Sequence, residues 1–284
     1  MSTKISSYRY DNLEEQEQAE EFERLFRQAS SLIRIERQLW PESGILPGAR
    51  ILDVGCGSGI VTQELATYAY PGHVVGVDIS QSLIEKGQQA YTRKNESRSA
   101  SSTDNITLMQ GNVYDLPFPE NSFDVVHSRF IFQHLSNPIE ALENIWRVLK
   151  PDGLICIIDV DKSWSGLSPE PATSVALDKA IIEKQLAQGG DPWVGRKLSY
   201  YLSAVGFSKP KTNITLVDSD QLGFSNYVEM LAFGASPKNK KNELTALREK
   251  AQPDILNLMD SQYAWAGFAL FVATGRKGVI KSSS

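Results

Sequence analysis

Three glycines on alternate positions, Gly55, Gly57 and Gly59, follow the apolar-acidic run Ile51-Leu52-Asp53-Val54. Glycine tolerates positive φ and carries no Cβ, so a backbone with this spacing turns sharply and admits close approach by a ligand. From Ile60 to Ala69 the apolar residues Ile60, Val61, Leu65 and Ala66 recur near helical spacing. Strand, glycine turn and helix in succession is how open α/β sheets hold nucleotides at the carboxyl ends of their strands. The plainer alternative is a tight strand-to-helix connection with no ligand. A dinucleotide turn asks for Gly-x-Gly-x-x-Gly or Ala; the frame from Gly55 ends on Ile60 and the frame from Gly57 ends on Thr62. Neither side chain suits close packing of helix on strand. A phosphate-binding loop closed by Gly-Lys-Ser or Gly-Lys-Thr is absent from this run.

Strand and helix patterns alternate from here. Strands are expected over residues 50–54, 73–77, 106–109, 123–127 and 154–160, and helices over 60–69, 81–93 and 138–149. Ser80 suits the N-cap of the second helix, although Gly87 weakens that helix. Pro138 suits the first position of the third. Alternation of this kind implies a parallel sheet with right-handed crossovers. Upstream, residues 12–40 carry a charged helical pattern with Leu25, Ala29, Leu32, Ile33 and Leu39 on one face, broken at Pro41–Gly48. The serine-rich stretch Asn95–Asp104 reads as a loop. Downstream, helices are expected over 171–188, 194–204, 225–233 and 241–260, with strands over 212–217 and 266–274.

At 284 residues with net charge −5, the chain is long enough for one α/β domain with additions, and its charge argues against nucleic acid as the main partner. The densest basic cluster, Lys238, Lys240 and Lys241, reads as a solvated helix start. Cys56 and Cys156 have neither metal-site nor redox-pair spacing, so no metal is expected and two free thiols in a reducing, cytoplasmic compartment are. Neither a signal peptide nor an apolar run long enough for a membrane span is visible in the sequence.

Two further positions bear on the ligand. Asp78 closes the second strand, where an acid accepts hydrogen bonds from ribose hydroxyls; the alternative is a helix N-terminal charge before Ser80. Asn112, just past the third strand, offers an oxygen to an adenine amino group while the Val113 amide donates to the ring; the alternative is a turn-forming asparagine.

In order along the chain, Leu52-Asp53-Val54-Gly55-Cys56-Gly57-Ser58-Gly59, Val75-Gly76-Val77-Asp78, Asp115-Leu116-Pro117-Phe118, Ser122-Phe123-Asp124-Val125-Val126 and Val148-Leu149-Lys150-Pro151-Asp152-Gly153 resemble the class I S-adenosylmethionine-dependent methyltransferases. The likeness is strongest over residues 50–161 and leans toward the small-molecule group that includes quinone, sterol and polyketide methyltransferases. It implies a Rossmann-like, seven-stranded, mostly parallel sheet with helices on both faces, whose last strand (266–274) inserts antiparallel beside 154–160. It implies one methyltransferase domain: an N-terminal helical cap (1–45), a cofactor core (46–161), substrate-side helices and the sixth strand (162–265), the last strand (266–276) and a tail. It also implies S-adenosylmethionine as cofactor and assigns roles. Gly55, Gly57 and Gly59 let the backbone approach the methionyl and ribose portions, Asp53 helps position the methionyl ammonium, directly or through water, and Ser128 lies beside the methionyl arm. Asp78 and its neighbour Ile79 meet the ribose side, Asn112 and Val113 meet adenine, and Gln28 covers the site from the N-terminal helix. Asn112 departs from the family, where aspartate is common.

Methyl transfer from a sulfonium is an in-line displacement that chiefly requires alignment and exclusion of water. Where the acceptor must lose a proton, the three histidines are the groups that titrate near neutrality. His127 suits a strand core, and His73 starts a strand away from the site. His134, after the fourth strand, is the candidate general base, with a structural role before the Asn137-Pro138 turn as its alternative. Trp164, Trp193, Tyr200, Tyr201, Phe224, Tyr227 and Phe233 are candidates to wall an apolar acceptor pocket. The acceptor expected is a small, apolar or aromatic molecule with an oxygen, nitrogen or carbon nucleophile. Two rival functions stand beside this one: a non-catalytic protein that retains the fold and cofactor, and a nicotinamide-dependent oxidoreductase, against which Ile60 counts.

Overall fold

Apolar runs too short for helices become the strands of one sheet, and the periodic stretches between them become its covering helices. The computed structural model describes residues 6–8, 10–96, 105–231 and 243–278. In chain order the first half comprises α1 (Glu15–Ser43), β1 (Ile51–Val54), α2 (Ile60–Ala69), β2 (Val74–Asp78), α3 (Gln81–Glu96), β3 (Ile106–Gln110), β4 (Phe123–Arg129) and α4 (Pro138–Val148). The second half comprises β5 (Leu149–Ser168), α5 (Ala172–Ala187), α6 (Leu198–Val205), β6 (Ser208–Asp218), α7 (Ser219–Leu222), α8 (Phe224–Leu231), α9 (Glu243–Met259) and β7 (Trp265–Arg276).

The strands lie in the order β3-β2-β1-β4-β5-β7-β6. Strands β1 to β5 pair parallel, and β7 is antiparallel to both β5 and β6. The last strand therefore lies beside Leu154–Val160, as the resemblance implies, and β6 takes the edge. Alternation along β1 splits the core into two layers. Leu52 packs with α4 and α6 residues such as Leu142 and Leu198. Ile51 packs with α1 and α2 residues such as Leu32 and Leu65. Burial on both faces explains the unbroken apolar runs in the central strands.

Three local expectations change. Helix α1 runs through Pro41 and stops at Gly44, whose φ of 90° closes the helix with its N–H on the carbonyls of Pro41 and Trp40. Proline in a last turn removes one hydrogen bond without blocking the turns before it. Lys150–Gly153, read as a turn, belongs to β5, because the Lys277 and Gly153 backbones pair across the sheet at 2.9 Å. Gly87 is a fitting residue within α3: a Cβ there would fall 2.3 Å from the Ser58 carbonyl oxygen, so its bareness lets α3 lie against the glycine turn. Phe233, Lys238, Lys240 and Lys241, most of the Asn95–Asp104 loop and most of the tail lie outside the described residues.

Candidate functional site

Strand order reverses around β1, which has β2 on one side and β4 on the other. Connections leaving the carboxyl ends of these strands diverge and open a crevice, the usual ligand position in an open α/β sheet. The glycine turn sits at that point. Gly55 and Cys56 both donate their amides to the Val77 carbonyl, at 2.8 and 3.0 Å, and the Gly59 amide donates to the Cys56 carbonyl at 2.9 Å. All three glycines have positive φ: 74°, 56° and 76°.

Their surroundings separate their roles. A Cβ on Gly55 would fall 2.1 Å from Cγ2 of Ile131, and one on Gly59 would fall 2.7 and 2.8 Å from the Leu108 methyls. On Gly57 nothing lies within 4 Å. Gly57 therefore faces open space, while Gly55 and Gly59 are bare because side chains pack on them.

Asp78 is held from two sides. Its Oδ2 accepts from the Gly57 amide at 2.8 Å and its Oδ1 from the Ser80 amide at 2.9 Å. Burial raises its pKa, against the two amides, which lower it. Ser80 caps α3 by accepting from the Leu83 amide at 3.1 Å and donates its hydroxyl to Asp11 at 2.6 Å. Asn112 forms the turn that was its alternative reading, with its Oδ1 accepting from the Tyr114 amide at 3.0 Å.

A cavity of about 600 Å³ extends from this turn. It is lined by Gln28, Gly55, Gly57, Asp78, Ile79, Asn112 and Val113, and also by residues that include Leu167, Leu177, Ile181, Tyr227, Ile255 and Phe268. A strap formed by residues 6–8 borders it. Ser6 bridges to Leu135, the Ser7 amide donates to the His134 carbonyl at 2.9 Å, and Tyr8 and His134 rings lie 5.5 Å apart.

Three residues assigned to the cofactor do not line the cavity: Asp53, Gly59 and Ser128. Asp53 is 2% exposed, and both carboxylate oxygens are occupied, one by Thr62 Oγ1 at 2.6 Å and one by His127 Nδ1 at 2.8 Å. It braces the turn from behind. Gly59 starts α2 under Leu108. Ser128 is wholly buried in the sheet between Val54 and Ile157, and its hydroxyl lacks a hydrogen-bond partner. Alternation places it away from the crevice; its neighbours Arg129, Phe130 and Ile131 line the cavity instead. At Phe130 the chain takes a φ of 58°, uncommon for a bulky residue, and the turn brings Ile131 over Gly55.

His134 does line the cavity, with Nδ1 2.8 Å from the Ser7 hydroxyl. Burial, helped by the nearby Arg24 charge, pushes its pKa down to about 4. His127 is core, as expected of a strand position.

Of the aromatic residues proposed for the acceptor wall, Tyr227 lines the cavity. Trp164 is 51% exposed and packs edge-on against Phe271, Tyr200 is 70% exposed, and Tyr201 and Phe224 pack on the two core layers. Aliphatic residues of β5, α5 and α9 supply most of that wall. Their helical spacing is the same as that of core residues, so the sequence carries no signal that sets them apart. Sequence reasoning also missed the charged pairs. Arg24 binds Glu21 with two bonds of 2.8 Å, Arg129 Nε donates to the buried Glu36 at 2.6 Å, Lys162 pairs with Asp178 at 3.0 Å, and Arg196 holds Asp161 with both arms of its guanidinium. Among the described residues no group of three or more His, Cys, Asp or Glu is placed to hold a metal. No helix among them is long and apolar enough to cross a membrane.

A glycine turn at the sheet's switch point, an acid ending β2 and an antiparallel β7 beside β5 define the Rossmann-like methyltransferase fold. Residues 52–157 match the family model described as a methyltransferase domain. An uncharacterized methyltransferase of Schizosaccharomyces pombe is 36% identical over 149 residues, covering 52% of this chain and 53% of the relative. A demethylmenaquinone methyltransferase of Symbiobacterium thermophilum is 36% identical over 130 residues, covering 45% and 49%. The chain thus spans about half the length of these curated relatives. The solved structure of a SAM-dependent methyltransferase from Methanosarcina mazei superposes with a TM-score of 0.52 at 15% identity, covering 81% of this chain and 93% of that one, a likeness of fold. Residues 52–157 thus carry a methyltransferase domain, set in a sheet with the topology of the class I S-adenosylmethionine-dependent methyltransferases.

Proposed function

We propose that this protein transfers a methyl group from S-adenosylmethionine to an oxygen, nitrogen or carbon nucleophile of a small, apolar or aromatic molecule. The observation that carries the proposal is one cavity lined both by the glycine turn with Asp78 and by aliphatic side chains such as Leu167, Leu177, Ile181 and Ile255. Its volume lies within the range of small-molecule sites. The open space beside Gly57 fits a ligand lying against the backbone there.

In this reading the cofactor supplies an activated methyl on a sulfonium, and the residues do the rest. Asp78, steadied by two amides, presents its remaining lone pairs to the ribose hydroxyls, and Ile79 flanks them. Asn112 keeps its side-chain amide and a second lone pair for adenine beside Val113, and Gln28 closes the methionyl side from α1. Gly55 and Gly59 shape the turn, and Asp53 acts through it by way of Thr62 and His127. His134, neutral at pH 7, is a weak base with so low a pKa, so alignment and exclusion of water carry the rate. The quinone-related name of one relative fits such an acceptor. The free cysteines Cys56 and Cys156 fit a cytoplasmic setting, and the whole described chain fits one domain built around residues 46–161.

Calorimetric titration with S-adenosylmethionine and S-adenosylhomocysteine, followed by labelled-methyl transfer to a panel of hydroxylated, phenolic and amine acceptors, tests the reading. Binding with turnover of an apolar acceptor is expected. Binding of a nicotinamide dinucleotide with no response to either sulfur compound would overturn it, and cofactor binding without turnover across the panel would favour the non-catalytic reading.

A further inference from the structure

Several charged groups that line the cavity are paired with opposite charges. Asp161 is engaged by Arg196, and Asp178 by Lys162. Glu170 lies at the exposed rim. An ammonium substrate would meet Asp161 and Asp178 with cations already on them, and the cavity-lining Arg24 and Arg129 already hold Glu21 and Glu36. Deep in the same wall, Tyr227 is 6% exposed and packs its ring 5.9 Å from that of Phe268, with Leu177 and Ile181 also on the wall. Among the described residues its hydroxyl has no hydrogen-bond partner, and unlike the Ser128 hydroxyl it is not sealed away, so it is open to the cavity that Tyr227 lines. A polar atom kept without a partner on an apolar wall, facing a cavity, is a place where a ligand atom completes the pairing.

We propose that Tyr227 is a specificity-determining residue that donates a hydrogen bond to a neutral oxygen of the methyl acceptor. The acceptor class is then an uncharged, largely hydrocarbon molecule bearing a hydroxyl or carbonyl oxygen, such as a phenol, a quinol or a hydroxylated ring system. This narrows the proposed function and rests on it. Burial raises the pKa of the phenol, so Tyr227 keeps its proton and acts as a donor at neutral pH. Sites built to pair a substrate hydroxyl reject analogues that lack it, because the buried partner is otherwise left bare.

The test uses the full chain saturated with S-adenosylhomocysteine and two probes of like size, 2-naphthol and 2-methylnaphthalene, with Kd measured by calorimetry. Wild type is expected to bind 2-naphthol about 3- to 10-fold more tightly than the hydrocarbon, the range for one net hydrogen bond. Tyr227→Phe is expected to bring the two probes within about 2-fold of one another, leaving the 2-methylnaphthalene and S-adenosylhomocysteine affinities unchanged, which also reports that the variant is folded. Equal affinity of wild type for the two probes, no binding of either, or an undiminished preference for 2-naphthol in Tyr227→Phe would each overturn the proposal. A cationic probe, 2-naphthylmethylamine, binding more tightly than 2-naphthol would overturn it as well. Failure to bind S-adenosylhomocysteine would instead overturn the underlying methyltransferase reading.

Discussion

Replacing Gly57 and Gly59 separately by alanine separates two uses of glycine that the sequence shows as one pattern. Both have positive φ, 56° and 76°, so a Cβ brings conformational strain of about 1–2 kcal/mol at either position. Beyond that they diverge. The Cβ of Gly59→Ala would lie 2.7 Å from Leu108, closer than carbon atoms pack, and overpacking adds about 1–3 kcal/mol. The sum is about 2–5 kcal/mol of lost stability, read as a lower urea midpoint of the ligand-free protein. Gly59 does not line the cavity, so in the folded fraction its variant should bind S-adenosylhomocysteine with wild-type affinity. Gly57→Ala meets nothing within 4 Å and should lose only the strain. Its methyl enters the space where the proposed ligand lies, and the same 1–3 kcal/mol of overpacking, now falling on the complex, weakens binding about 5- to 150-fold. Denaturation and calorimetry on both variants decide the matter. If Gly59→Ala weakens binding while Gly57→Ala binds normally, the assignment of ligand approach to Gly57 is wrong.

Other positions yield independent tests. Asp78→Ala should weaken S-adenosylhomocysteine by ~1.5–3 kcal/mol, the loss of a charged hydrogen bond; unchanged calorimetric affinity would remove Asp78 from the ribose site. Ser128→Ala deletes a buried hydroxyl without a partner, so the urea midpoint should hold or rise and the affinity should not move; weakened binding would restore Ser128 to the methionyl arm. His134 has a folded-state pKa near 4, below its unfolded value of about 6.5. The unfolded chain therefore binds more protons in that window: stability is fully present above it and declines as pH falls from about 6.5 toward 4, by at most ~1.4 kcal/mol per pH unit for one group. His134→Asn should flatten that part of the stability-pH curve, and an identical slope in both proteins would refute the linkage.

Most of the fold is legible in the sequence because local chemistry and tertiary demand agree. The α2 range follows from apolar spacing, and the paired glycine and acid signals fall at the ends of β1 and β2, where the topology needs them. Disagreement begins where a residue serves a neighbour rather than itself. Gly87 reads as a weak helix residue until α3 is seen against Ser58. Asp53 reads as helping to position the methionyl ammonium, directly or through water, and its two oxygens also bond Thr62 and His127, the latter 74 residues away. Ser128 follows from β4 pairing, in which one residue's shift decides between crevice and core. The acceptor wall was least legible, since aliphatic side chains of α5 and α9 have the same spacing whether they face a core or a cavity.

The paired charges around the cavity bear on how the site works. Arg24–Glu21, Arg129–Glu36, Asp161–Arg196 and the Thr62–Asp53–His127 chain hold their polar groups in fixed geometry. Arg24–Glu21 and Arg129–Glu36 are largely buried, and such pairs contribute little net stability because desolvation offsets much of the attraction. Among the polar groups that line the cavity and keep hydrogen-bonding capacity are Asp78, Asn112, Gln28 and Tyr227. A reaction whose methyl donor is already activated asks for few such atoms, provided that each fixes one end of a reactant. Under the proposed function, Asp78 and Asn112 would fix the cofactor and Tyr227 the acceptor, and the aliphatic lining would keep water from competing with the nucleophile.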